Sequence, residues 1–73
     1  MEAKRYIVQL DDDALTAFLF HWVNHGKPCP LLFQKPRTDG QTAVRLQYTD
    51  GDTESILFLR DAIQATRCRL YER

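Results

Sequence analysis

The sequence has little of what a catalyst, a secreted scaffold or a membrane span is built from. Only three glycines, three prolines and two cysteines occur in 73 residues. The scattered glycines leave no Gly-rich loop to cradle a phosphate, and no HExxH or nucleophile-elbow motif is present. Two cysteines, Cys29 and Cys68, are too few for a disulfide framework. No apolar run approaches the roughly 20 residues that span a bilayer. The opening MEAKRYIVQLDDD lacks the charged-then-apolar order of a signal peptide. The expectation is a cytoplasmic protein with free thiols and no membrane contact. Net charge is missing too: ten Lys and Arg balance ten Asp and Glu, with a pI near 6.7. That excludes both the global basic field of a dedicated duplex-DNA binder and the acidic surface of a nucleic-acid mimic.

What is present suits one small folded unit spanning residues 1–73. The length is about half that of a typical domain, and folding such a chain buries only about 60% of its unfolded surface. A hydrophobic share of 44% is ordinary for a globular protein. So small a core leaves little scaffold for a cleft of roughly 300 Å³ or more, which lowers the weight of an enzymatic reading. No cofactor is called for.

Along the chain, periodicity alternates between two and 3.6. Residues 4–10 place Tyr6, Val8 and Leu10 on one side and Arg5, Ile7 and Gln9 on the other, the pattern of a strand. Asp11, Asp12 and Asp13 suit the N-cap and first turn of a helix. That helix runs to about Asn24 with Leu15, Phe18, Leu19 and Trp22 as its apolar stripe, and Gly26 and Pro28 stop it. Leu31 to Phe33 reads as a short strand, with Pro30 suited to its first position. Residues 35–41 are turn chemistry, the tip of a hairpin. Val44, Leu46 and Tyr48 alternate with Arg45 and Gln47 in a further strand.

After a second turn at 49–53 the residues fit a strand, Ile56 and Phe58 against Leu57 and Leu59 after an Asp50-Gly51 hairpin turn. Propensity and capping favour a helix from about Glu54, with Ile56, Leu59, Ile63 and Thr66 as its stripe, widened by Ala62. Residues 67–72 alternate once more, with Cys68 and Leu70 against Arg69 and Tyr71. A last strand fits, with a longer helix as the rival. The order is β-α-β-β-α-β, an α+β two-layer sandwich of the ferredoxin-like type with two helices on one face of an antiparallel sheet, or β-α-β-β-α without the last strand.

Four constellations bear on function. The uncovered sheet face is expected to carry Arg5, Ile7, Gln9, Arg45, Gln47, Arg69 and Tyr71. Arginines with an aromatic on an open sheet can pair phosphates and stack bases, so a nucleic-acid partner is an alternative using Arg5, Arg45, Arg69 and Tyr71, helped by Arg67 and Arg73. A single Tyr is a thin stacking platform, and a solvated face explains the same polarity. His21, His25 and Cys29 recur four apart; with Cys68 they form a weak zinc alternative lacking any CxxC pair, and histidines interacting with a helix C-terminus explain them more simply. The aspartate run and Asp50 to Glu54 fall short of the six or so ligands of a calcium loop and suit caps and turns. Cys29 lies between two prolines with no orienting acid, so no catalytic residue is assigned.

Fourthly, Phe20 lies about 140° from the centre of its helix stripe, flanked by Val23 and Ala17, while Leu57 is off the stripe of the second helix. Adjacent exposed apolar residues commonly mark an interface. The leading expectation is therefore a non-enzymatic protein-binding module. Its partner is another protein or a second copy of itself, bound through Phe20, Val23 and, at the hairpin tip, Lys35 and Arg37. Small adaptors, regulators and inhibitors, mobile-element products among them, act through surface complementarity of this kind.

Overall fold

Two eight-residue strands, β1 (Ala3–Leu10) and β3 (Thr42–Thr49), form the spine of the molecule. They pair antiparallel along their whole length, from Ala3 opposite Thr49 to Leu10 opposite Thr42. The computed structural model describes residues 2–34 and 40–72. Short edge strands flank the spine: β2 (Leu31–Phe33) pairs with β3, and β4 (Leu70–Glu72) pairs with β1. The sheet order is β2-β3-β1-β4, antiparallel throughout, with helices α1 (Asp12–Asn24) and α2 (Thr53–Thr66) in the connections. This is the β-α-β-β-α-β ferredoxin-like sandwich that the alternating periodicities predict.

Local chemistry sets the helix ends. The Asp11 carboxylate accepts the Ala14 N–H at 2.8 Å and caps α1, while Asp12 and Asp13 sit in its first turn beside the positive dipole end. At the other end Gly26 takes φ +78°. The Lys27 N–H reaches back to the Trp22 carbonyl at 2.9 Å and the Gly26 N–H to that of Val23 at 3.0 Å. Those two bonds make a Schellman motif, which satisfies carbonyls the helix would otherwise leave open. The Trp22 indole N–H then donates to the Cys29 carbonyl at 2.8 Å, holding the descending segment against the helix that precedes it.

The core lies between the helices and one sheet face. Val8, Leu10, Val44 and Leu46 from the sheet meet Phe18 of α1 and Phe58, Leu59 and Ala62 of α2. Phe18 and Phe58 pack edge-to-face with ring centroids 5.1 Å apart, a favoured aromatic geometry. Tyr6 and Tyr48 stack at 6.0 Å on the same side of the sheet. Burial, and after it the neighbouring Tyr6, pushes the Tyr48 phenol up to about 12.

Two sequence expectations need correction. The buried line of α2 is Ser55, Phe58, Leu59 and Ala62, not a stripe beginning at Ile56, which is exposed. The stretch Ile56 to Leu59 is apolar at four successive positions, so periodicity alone fits more than one phase; packing against Phe18 selects Phe58. Ser55 is fully buried because its hydroxyl donates to the Asp52 carboxylate at 2.8 Å, so a polar residue occupies a core position at little cost. The last strand is shorter than the alternation from Arg67 suggests. Arg67 adopts φ +55°, ending α2 with its N–H on the Ile63 carbonyl at 2.7 Å, and β4 begins only at Leu70.

Candidate functional site

Register decides what the uncovered face presents. Directly opposed residues of antiparallel strands point to the same side. Leu32 of β2 opposes Arg45 of β3, Arg45 opposes Ile7 of β1, and Ile7 opposes Tyr71 of β4. One row across all four strands therefore reads Leu32, Arg45, Ile7, Tyr71 on the side away from the helices. One step along, Arg5 opposes Gln47. The expected open-face residues Arg5, Ile7, Gln9, Arg45, Gln47 and Tyr71 share this side. Arg69 does not join them in a strand, since it precedes β4; it is exposed in the connection. Arg67 is the helix-ending residue described above, and Arg73 lies outside the described residues.

The face is electrically one-sided. No Asp or Glu occupies an open-side position in any of the four strands, whereas Arg5 and Arg45 do. Six of the ten acidic residues lie instead in the segments that lead into the helices, Asp11 to Asp13 together with Asp50, Asp52 and Glu54. A neutral chain thus carries a locally positive sheet surface. Arg45 is half-buried, and its Nε is buried without a hydrogen-bond partner among the described residues. Leu32 is 61% exposed and Tyr71 51% exposed, at the two ends of the same row.

A cleft of about 580 Å³ opens at the β2 side of this face, between Arg5, Arg45 and Gln47 and the Pro30–Leu32 stretch. Its origin is in the strand lengths. The β2–β3 ladder stops at the Leu31–Leu46 pair, while β3 continues through Gln47, Tyr48 and Thr49. Proline lacks the N–H a ladder needs, and Pro30 suits the position just before the strand. A smaller hollow of about 250 Å³, sharing Pro30 and Gln47 with the cleft, lies between Pro28–Pro30, Gln47–Thr49 and Asp52. Sequence reasoning missed Leu32 and this notch. Leu31 and Leu32 share one residue type, and only pairing with β3 shows which of them turns outward.

A second surface is the outer side of α1. Phe20 and Val23 lie one helical turn apart and are 62% and 55% exposed. The Phe20 ring meets only the edge-on His21 ring, at 5.7 Å, among the ring contacts of the described residues. Lys35 and Arg37, expected to extend this surface at the hairpin tip, lie outside the described residues.

The residues of the zinc alternative are not brought together. Among the described residues, no group of three or more His, Cys, Asp and Glu side chains could hold a metal ion. His25 is turned to α2, where its Nε2–H donates to the Asp61 carboxylate at 3.0 Å. That hydrogen bond, with the nearby Arg60 charge, holds Asp61 below the ordinary carboxylate range. Cys29 is buried in the core, and its burial pushes the thiol up, away from the thiolate that a nucleophile or metal ligand requires. Both cysteines are free. No described helix is long and apolar enough to cross a membrane. In comparison with known proteins, the chain matches no protein family, and no curated protein matches it.

Proposed function

We propose that this protein is a non-enzymatic protein-binding module, an adaptor, regulator or inhibitor that engages another protein or a second copy of itself. The observation that carries the reading is the outer face of α1, where Phe20 and Val23 stand exposed side by side on a helix whose opposite face already fills the core. Covering such side chains contributes about 1.5–3 kcal/mol each, enough for a pair to anchor a small interface. Two free cysteines fit a reducing, cytoplasmic setting.

The test is Phe20→Asp, a change at an exposed position that leaves the core intact. Sedimentation velocity over a range of concentrations reads self-association. Affinity capture from native lysate, with and without nuclease, reads a protein partner. The expected result is loss of one or the other. If oligomeric state and partner retention are both unchanged, the α1 surface is not the interface.

A second reading, nucleic-acid binding, is favoured by one observation: Arg5, Arg45 and Tyr71 share the open sheet side, on which no strand position is acidic. It requires affinity that falls steeply with salt. Salt-insensitive or absent binding of a single-stranded oligonucleotide removes it.

A further inference from the structure

We propose that the notch between β2 and the free end of β3 docks an extended, acidic segment of a partner protein, with a carboxylate held between Arg45 and Arg5. The inference rests on the protein-binding reading and names the chemistry of the partner. Three observations meet at the notch. Arg45 and Arg5 occupy diagonal positions on neighbouring strands of the open side, about 7–8 Å apart by sheet geometry. Both line the same cleft, so a carboxylate seated there can meet both side chains. The Arg45 Nε has no partner among the described residues, so no carboxylate of those residues holds the guanidinium through it. No carboxylate of the strands themselves lies on that side to compete.

Shape adds the second argument. The cleft of about 580 Å³ falls in the range of ligand-holding clefts, roughly 300–1,000 Å³. It is walled by the aliphatic surfaces of Pro30 and Leu32 beside the arginines. Acidic residues interleaved with aliphatic ones match that lining. Thirdly, β3 runs three residues beyond its last pair with β2, through Gln47, Tyr48 and Thr49. Residues 28–30 flank that end across the smaller hollow without ladder pairing to it, and an unpaired strand edge offers backbone groups to an extended peptide.

These features favour a peptide over single-stranded nucleic acid. Base stacking needs aromatic faces beside the phosphate-binding groups. The exposed aromatic of this face, Tyr71, is on β4, separated from Arg45 by Ile7 and on the far side from the notch.

The experiment selects random dodecamer peptides on the full chain by display, then measures recovered synthetic peptides by fluorescence anisotropy. The expected peptides carry Asp or Glu beside Leu, Ile or Val. Replacing their acidic residues by Lys abolishes binding. Arg45→Ala weakens it about 10- to 100-fold, the loss expected for a charge-assisted hydrogen bond. Arg5→Ala, at an exposed position where folding is not at stake, weakens it about 3- to 10-fold. Circular dichroism of both variants confirms the fold.

Peptides without acidic residues overturn the notch proposal, as does a selection that recovers none. Peptides whose binding is lost with Phe20→Asp but not with Arg5→Ala also overturn it, while leaving the protein-binding reading in place. If fluorescein-labelled oligouridylate binds, loses affinity with Arg5→Ala, and no peptide is recovered, both readings fall.

Discussion

Val8 and Ile7 are neighbours on one strand, similar in size and chemistry, yet they live in different solvents. Val8 is sealed under the two helices; Ile7 faces outward between Arg45 and Tyr71. The same contrast runs through the whole sheet. On the covered side, side chains were selected for shape: Phe18 against Phe58, Leu46 and Val44 beneath them. On the open side, they include charge and amides, and the apolar members Leu32 and Tyr71 are left half in water. A two-layer fold of this size spends its burial on one side only. The other side is therefore free to carry a binding surface without loss of stability.

That contrast can be broken or sharpened by substitution. Phe18→Ala should destabilise by about 3–5 kcal/mol, because it empties a fully buried ring site. Tyr71→Ser on the open side should stay within about 0.5 kcal/mol, as surface changes usually do. Chemical denaturation measures both, and similar losses for the two would erase the distinction between the faces.

A smaller gain is expected where the covering layer ends. Arg67 holds a left-handed conformation that costs an L-residue about 1–2 kcal/mol relative to the right-handed one. Arg67→Gly should raise stability by about 1 kcal/mol, read as a higher denaturation midpoint at constant slope. A lower midpoint would mean that the Arg67 side chain supports the covered face in its own right.

The mildest test concerns how the two helices are tied together. The His25 hydrogen bond lowers the Asp61 carboxyl below its ordinary value of 3.8. A carboxylate with a lowered folded value contributes stability that is present above 3.8 and fades as acid carries the pH down through that lowered value. Wild type should therefore exceed Asp61→Asn in thermal stability at neutral pH, and the gap should narrow in more acidic buffer. A gap that is constant with pH would show that the pair carries no linked proton.

Much of this architecture is legible in the residues themselves. Asp11 and Gly26 mark both ends of α1 by chemistry that acts locally, and the alternation of β1 and β3 assigns their faces correctly. The signal fails where structure depends on distant contacts. The phase of α2 is ambiguous across Ile56 to Leu59 until Phe18 is known to sit opposite Phe58. The end of α2 carries no glycine because Arg67 takes the conformation glycine would normally supply, so the helix-to-strand change leaves no mark. The interaction surfaces divide the same way. The outward placement of Phe20 follows from helical spacing, whereas the notch beside Leu32 exists only because two strands of unequal length were paired.

The strand order also has a consequence in time. β1 sits inside the sheet, but both its neighbours are supplied late: Ile7 meets Arg45, 38 positions downstream, and Tyr71, 64 positions downstream. The β2–β3 hairpin can close over a short loop, whereas β1 must wait for long loops to close around it. Folding dominated by such distant pairings is slow for a chain of this length. Until β4 arrives, one edge of β1 stays unpaired, and that edge is where a newly made chain is most open to pairing with the wrong neighbour.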